Sequence, residues 1–332
     1  GLVADRFQYR ERTAGVVAEF DLSVLEGLTR FPFRVQVEQW RLCRVLHDRL
    51  AESDLFEIRY GAKVEDVTTD SGGASVTLTD GSTIEGSWVV GADGAGSNVR
   101  KAIGAEFEGW TYEDRYLVVS TPYELADHLP DLALVNYVAD PEEWLVLLRT
   151  KPLWRILFPI HDPETDEEAL ADDRIEARLQ RVVPKQGRYE IGHRTMYNVH
   201  QRVASTFRKD RVVLAGDAGH INTPLGGMGA NGGIHDAWLL TDLLPDVWHG
   251  RRDEAVLDAY SDVRRRIATE FIQRVTHENA VTLSSRDADV RAEALANLAE
   301  KASKPDTARA YLRQASMIEA IDLQNEWMAA AV

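Results

Sequence analysis

One stretch constrains this chain more than any other: Arg211 to Leu240, RVVLAGDAGHINTPLGGMGANGGIHDAWLL. Its apolar opening, Val212-Val213-Leu214-Ala215, reads as a short buried strand. Gly216-Asp217 ends that strand, a loop with Pro224 and several glycines follows, and from about Asn231 a helical pattern takes over. A carboxylate at a strand end, Asp217, can accept hydrogen bonds from sugar-type hydroxyls. Gly226, Gly227 and Gly229 let bare backbone approach a flat ligand, because no Cβ stands in the way. The first N–H groups of the helix have no internal partners and sit at the positive end of its macrodipole. They suit an electron-rich carbonyl or a developing anion. Hydroxyls, a planar ring and a carbonyl that becomes anionic on reduction together describe a flavin.

Gly216-Asp217-Ala218-Gly219-His220, followed by Pro224-Leu225-Gly226-Gly227-Met228-Gly229-Ala230-Asn231, resembles the second FAD motif of single-component (group A) aromatic hydroxylases, which have the para-hydroxybenzoate hydroxylase fold. The resemblance implies that Asp217 holds the ribityl chain and that Pro224 lies beside the reactive C4a edge. It also implies that the backbone from Gly226 through Ala230 to Asn231 faces the N1/C2 carbonyl. Gly219, commonly Ala in the family, is a small departure. Gly227 to Gly232 also spells G-x-G-x-x-G, but that dinucleotide fingerprint needs its glycines directly after a strand, and here a whole loop intervenes.

A second motif stands upstream, in the family's order. The strand Trp88-Val89-Val90 delivers Gly91-Ala92-Asp93-Gly94-Ala95-Gly96-Ser97-Asn98-Val99-Arg100, which resembles the family's Asp-Gly motif. Asp93 and Gly94 bring backbone near a pyrophosphate, Ser97 is placed to N-cap the helix it opens, and Arg100 adds a positive charge. The resemblance implies that Asp93 and Arg100 serve both FAD and NAD(P)H. At Phe31-Pro32-Phe33 to Gln39 the chain resembles the family's junction in which a helix-start Gln touches the flavin, and Gln39 takes that place. The helix it opens, from Trp40 to about Glu52, carries Leu42, Val45, Leu46 and Leu50 on one face. Cys43 is expected to pack as a small hydrophobe within it.

The beginning of the chain is expected to be a helix end rather than a domain start. Gly1-Leu2-Val3-Ala4-Asp5-Arg6-Phe7 is similar to a phrase that lies well inside these hydroxylases, and the family's first βαβ unit with its G-x-G-x-x-G is not found in residues 1–35. The alternatives are a chain without its own N-terminus or a natural or engineered fragment.

At 332 residues the length suggests about two domains. The net charge of −16 argues against nucleic-acid or anionic-membrane partners. One cysteine excludes an internal disulfide framework and fits the cytoplasm. No apolar run is long enough to span a membrane. His220 and His235 have no partners at metal-ligand spacing, so no metal is expected.

The expected fold is α/β: a Rossmann-like FAD-binding domain, incomplete at its N-terminus, over 1–112 and 204–250, with part of 8–36 joining the substrate sheet. Within it, residues 56–60, 62–68, 75–78 and 83–87 read as short strands. An antiparallel-sheet substrate domain over 113–203 is inserted, with one amphipathic helix from Glu167 to Val182. Helices fill 251–332, among them single long ones over 253–276 and 307–328; they supply packing or a homodimer interface.

Trp154, Ile156 and Phe158 share one strand face and are expected either to wall an aromatic pocket or to be sheet core. On the returning strand His193, Tyr197, Asn198 and His200 are candidates for the substrate's phenol oxygen, Tyr197 and His200 first. Arg202 resembles an Arg used toward the nicotinamide.

The implied function is an NAD(P)H- and O₂-dependent FAD monooxygenase that hydroxylates a phenol-type or heteroaromatic small molecule through a flavin C4a-hydroperoxide. The alternatives are another FAD reaction on this fold (halogenase, Baeyer–Villiger-type oxygenase, reductase) or a non-catalytic fragment. The W-x-W of the halogenases is not found.

Overall fold

The computed structural model of the chain describes residues 1–331, which divide into two compact units. In chain order the elements are β1 (Leu2–Ala4), β2 (Arg6–Glu11), β3 (Gly15–Asp21), β4 (Arg34–Gln36), α1 (Gln39–Leu50), β5 (Val64–Thr69), β6 (Ala74–Leu78), β7 (Thr83–Gly86), β8 (Val89–Gly91), α2 (Asn98–Ala102), β9 (Phe107–Thr121), β10 (Val135–Ala139), β11 (Leu145–Arg149) and β12 (Trp154–Ile160). There follow α3 (Asp166–Ala169), α4 (Asp172–Val182), β13 (His193–Ala204), β14 (Arg208–Lys209), β15 (Val212–Leu214), β16 (His220–Ile221), α5 (Met228–Trp248), α6 (Ala255–Arg266), a π-helical segment (Ile267–Gln273), α7 (Arg274–Ser284), α8 (Ala288–Ala302), α9 (Pro305–Ala315) and α10 (Ile318–Ala331). No helix among the described residues is long and apolar enough to cross a membrane.

The first unit comprises Gly1–Glu57, Tyr112–Val199 and Ala280–Arg313. Its sheet runs β9-β12-β11-β10-β2-β3. All neighbours are antiparallel except β10 and β2, which run parallel with Tyr137 opposite Tyr9. Alternation along β12 sends Trp154, Ile156, Phe158 and Ile160 to one face, where they are buried against Ile175 and Leu179 of α4. The aromatic stripe is therefore sheet core and walls no pocket. The expected helix over 167–182 is two: a capping box of Thr165 and Glu168 starts α3, and a fresh start at Ala171 begins α4.

The opening residues are strands, which corrects the expected helix end. Phe7 of β2 stacks on Phe20 of β3 at 5.3 Å, and Tyr9 stacks on Tyr137 at 5.0 Å. These ring contacts and the β2–β10 pairing hold residues 1–57 in this unit, a different division from the expected 1–112. Helix α1 forms with its expected periodicity, yet Leu42, Val45, Leu46 and Leu50 are all exposed. Cys43 is exposed with them, against the expectation of packing. No strand forms at residues 56–60.

The second unit comprises Ile58–Thr111, His200–Asn279 and Gln314–Val332. Its centre is the parallel pair β8–β15, with Val212 opposite Val89 and Leu214 opposite Gly91. The continuous apolar run of β15 is what burial on both faces requires. Val212, Val213 and Leu214 are fully buried among Val99, Leu239, Leu243, Leu257 and Tyr260. The meander β5-β6-β7 stands as a separate three-stranded sheet. The helix expected over 253–276 is interrupted by the π-helical segment, and the one over 307–328 breaks at Met317, whose φ is 59°.

Candidate functional site

Because β8 and β15 are parallel and in register, both strands end on the same edge of the sheet. The two motifs, far apart in sequence, leave that edge side by side. Ala215 N–H donates to the Gly91 carbonyl at 3.0 Å. After β8 the Asp93 carboxylate turns back on its own loop, accepting from Ser97 Oγ (2.5 Å), Asn98 N–H (2.8 Å) and Val99 N–H (3.1 Å). Gly94 makes the turn at φ 80°. Ser97 Oγ caps Arg100 N–H at 2.8 Å, as expected of an N-cap.

Arg100 is buried and donates to the Ala218 carbonyl at 2.9 Å and the Ala95 carbonyl at 2.8 Å, with its guanidinium 3.7 Å from the Phe107 ring centroid. It thus ties the Asp93 loop to the Asp217 loop. Desolvation lowers its pKa, and the Asp93 charge counteracts this.

After β15 the chain turns at Gly216 and presents Asp217, which is exposed. Partial desolvation pushes the Asp217 carboxyl above its ordinary value, with His220 pulling it down and Asp236 adding to the rise. Helix α5 begins at Met228, three residues before the expected start near Asn231. Gly227, in the left-handed region at φ 70°, is the residue that turns the chain into it. Asn231 Nδ2 reaches back to the Gly227 carbonyl at 2.6 Å, so the Asn231 side chain serves its own helix start. The N–H groups of Met228, Gly229 and Ala230 fall within the first turn, where no intrahelical acceptor exists. Pro224 is exposed, and its carbonyl accepts from Gly227 N–H at 2.9 Å in the turn that includes Gly226.

Behind this loop lie residues whose part the sequence did not announce. Asp236, fully buried on α5, accepts from Gly216 N–H (2.8 Å) and pairs with His220 Nε2 (2.8 Å) through Oδ2. Its Oδ1 accepts from Arg264 Nε at 2.5 Å. Arg264 also donates to the Gly232 carbonyl (3.1 Å) and to Gln324 Oε1 (2.8 Å). Burial alone would raise the Asp236 pKa, but the charges of His220 and Arg264 and the hydrogen bonds from His220 and Gly216 hold it well below the usual carboxylate range. Gln201 is a second such residue. It accepts from Thr223 N–H at 3.0 Å and donates to the Gln273 carbonyl at 2.8 Å, at the end of the π-helical segment. A polar residue within an apolar pattern was the available signal for Asp236 and Gln201; their partners were not.

Two buried atoms on the loop, Asn222 Oδ1 and Thr223 Oγ1, have no hydrogen-bond partner among the described residues, and neither has His220 Nδ1. Among the described residues no group of three or more His, Cys, Asp or Glu is placed to hold a metal ion.

The other candidates fall within each unit as follows. In the first unit, Gln39 is the first residue of α1 and exposed. Tyr197 on β13 meets Tyr116 edge-on at 6.1 Å, and desolvation pushes its phenol up to about 12, with Arg155 acting in the opposite sense. His193 and Asn198 are exposed on the same strand. Arg155 itself, half-buried on β12, was not singled out from sequence; it points to the face opposite Trp154 and Ile156. In the second unit, His200 Nδ1 lies 2.9 Å from Thr111 Oγ1, which also accepts from Arg202 at 3.3 Å. Arg202 further donates to the Phe107 carbonyl at 3.2 Å.

The FAD binding domain family matches residues 9–275 of the chain. Over 289 residues the chain is 32% identical to para-nitrophenol 4-monooxygenase of Pseudomonas sp. (strain WBC-3), covering 85% of this chain and 71% of that protein. It is likewise 32% identical over 284 residues to 6-hydroxy-3-succinoylpyridine 3-monooxygenase of Pseudomonas putida, covering 84% and 72%. Among solved structures, p-nitrophenol 4-monooxygenase from Pseudomonas putida DLL-E4 superposes with a TM-score of 0.89 at 29% identity, covering 97% of this chain and 82% of that one.

Proposed function

The chain belongs to the FAD binding domain family and is an FAD-dependent aromatic monooxygenase that uses NADH or NADPH; on that premise we propose that the loop from Gly216 to Asn231 holds the flavin. The observation that carries this is the exposed Asp217 carboxylate paired with an open helix start at Gly227 to Ala230. Together they offer an acceptor for sugar hydroxyls and donors for an electron-rich carbonyl. The fit is supported by Asn222 Oδ1 and Thr223 Oγ1, buried without partners on this loop. A Cβ built on Gly227 would meet nothing within 4 Å, so there is open space beside the backbone there.

When bound, FAD would supply the redox chemistry, with the nicotinamide as hydride source and O₂ as oxygen source for the aromatic ring. The protein's own part is to hold charge, position and proton. Asp217 would accept from the ribityl hydroxyls. The N–H groups of Met228, Gly229 and Ala230, at the positive end of α5, would stabilise the negative charge that reduction brings. Pro224, exposed on the same loop, would bring no N–H of its own toward a bound ring. Asp93 and Gly94 shape the neighbouring loop for the pyrophosphate, with Arg100 fixing one loop to the other.

We infer a hydroxylated aromatic or heteroaromatic substrate, since the two relatives are named for para-nitrophenol and 6-hydroxy-3-succinoylpyridine. With its phenol at about 12, Tyr197 keeps its proton and donates a hydrogen bond to the substrate oxygen. His200, held at Nδ1 by Thr111 Oγ1, is the alternative candidate for meeting that oxygen. The Arg155 guanidinium attracts an anionic group on the substrate. The single, exposed Cys43 suits a cytoplasmic, reducing compartment.

The test is an absorption spectrum of the purified protein, then anaerobic titration with NADH and NADPH across a panel of phenols and hydroxypyridines. Flavin bands that bleach with the nicotinamide, faster with one ring than with the others, are the expected result. A protein that takes up no FAD, or bleaches equally with every ring, overturns the reading.

A further inference from the structure

One carboxylate holds the two cofactor-facing ends of the second unit together. Asp236 Oδ2 accepts from the backbone of Gly216, the residue immediately before Asp217. Asp236 itself sits two turns into α5, the helix whose first N–H groups form the other side of the loop. Its Oδ1 takes Arg264 Nε, and the same guanidinium reaches the Gly232 carbonyl in the next turn of α5 down from the open N–H groups. His220 Nε2 adds a third tie, from β16 within the loop.

Each of these groups is nearly or fully buried: Asp236 and Arg264 are 0% exposed and His220 2%. Packing leaves no slack around them. A Cβ on Gly232 would lie 3.0 Å from His220 Cε1, and one on Gly233 would lie 3.1 Å from Gly216 Cα. The helix is thus pressed against the strand end at two glycines and bonded to it by one carboxylate.

We propose that Asp236 and Arg264 are positioning residues for the flavin: they set the distance and angle between the Asp217 carboxylate and the N-terminus of α5. This rests on the flavin reading of the Gly216–Asn231 loop. A buried ion pair contributes little net stability over an apolar pair of the same volume. Its use here is geometric. A carboxylate is acceptor-only, so it takes the N–H groups of Gly216, His220 and Arg264 together. An isosteric amide cannot, because its NH₂ would face one of those donors.

Asp236→Asn therefore shifts Gly216 away from α5. The expected result is FAD binding at least tenfold weaker, about 1.4 kcal/mol, and a more negative reduction potential for the flavin that remains bound, because the helix N-terminus no longer faces its charge squarely. Arg264→Lys keeps the charge but loses the fork that reaches both Asp236 and Gly232, and shifts affinity and potential in the same direction by less. Gln324→Leu is the comparison. It removes the outer end of the same buried network and leaves the bonds to Gly216 and Gly232 in place, so it lowers apoprotein thermal stability without moving the potential.

The measurements are FAD titration of the apoprotein, flavin reduction potential and apoprotein melting, on wild type and the three variants. Unchanged potential in Asp236→Asn, or affinity losses that track melting temperature across all three variants, overturns the proposal and leaves Asp236 a folding residue. Failure of the wild type to bind FAD defeats the underlying flavin reading instead, so the two failures are told apart. If Asp236→Asn does not fold, the potentials of Arg264→Lys and Gln324→Leu decide: equal values overturn the proposal.

Discussion

Arg264 Nε lies 2.5 Å from Asp236 Oδ1, and neither side chain touches solvent. The two residues come from different helices, α5 and α6. An ion pair so placed contributes little net stability when whole but is costly when halved, since a lone buried charge loses several kcal/mol of hydration. Arg264→Met is accordingly expected to destabilise the protein by about 3 kcal/mol or more, measured by urea unfolding. A loss under about 1 kcal/mol would mean that water reaches the pair.

Asp217 stands at the mouth of the same arrangement with the opposite character. It is exposed, and Asp236 is a like charge nearby. Removing it relieves the desolvation cost and the repulsion from Asp236 but forfeits the attraction to His220, so Asp217→Ala is expected to leave apoprotein melting nearly unchanged. FAD affinity falls by roughly 10- to 100-fold, the worth of a charge-assisted hydrogen bond. Equal FAD affinity in the variant would remove Asp217 from the binding loop.

His235 gives the protein a pH dependence of known sign. Burial first, then the Arg264 charge, lowers its pKa from 6.5 to about 4. The unfolded chain binds a proton below about pH 6.5 that the folded chain refuses until about pH 4. Stability is therefore lost as pH falls through that window and levels off below it. The loss amounts to at most about 3 kcal/mol, because each tenfold difference in proton affinity between the folded and unfolded chain is worth ~1.4 kcal/mol. His235→Gln should flatten the pH profile of unfolding free energy between those limits; parallel profiles would show that His235 does not carry the effect.

Gly227 tests the helix start by backbone alone. A methyl group there has open space around it but would hold a φ of 70°. Gly227→Ala should cost about 1 kcal/mol of stability and weaken FAD binding further than melting alone accounts for. Full tolerance in both measurements would place the helix start elsewhere.

On the substrate side, Arg155→Gln is expected to raise KM for ring substrates that carry a negative charge, by roughly tenfold for one lost charge-assisted bond, while neutral rings are unaffected. Tyr197→Phe should lower kcat/KM with little change in the pH profile, because its phenol stays protonated. His200→Gln, at the alternative candidate, should lower kcat/KM less than Tyr197→Phe does. The reverse order of losses would give the role to His200.

The chain's local chemistry was legible from residue order alone. A buried run ending in Gly-Asp, a Pro- and Gly-rich loop and a helix after it point to a strand–loop–helix around a flavin, because each depends on neighbours in sequence. The family similarity and the α/β class rest on the same short-range signals. What the order of residues left open was long-range. Periodicity showed that Trp154, Ile156 and Phe158 share a face, but only the packing of α4 decided that this face is core. The same rule found an apolar side on α1 that the fold leaves exposed. Residues 1–57 join the first unit through Tyr9 against Tyr137, a pairing across more than a hundred residues that no local pattern announces. Asp236, Arg264 and Gln201 looked like ordinary polar positions in sequence. Tertiary structure alone decided their part, since a buried charge acquires its meaning from partners that only folding brings within reach.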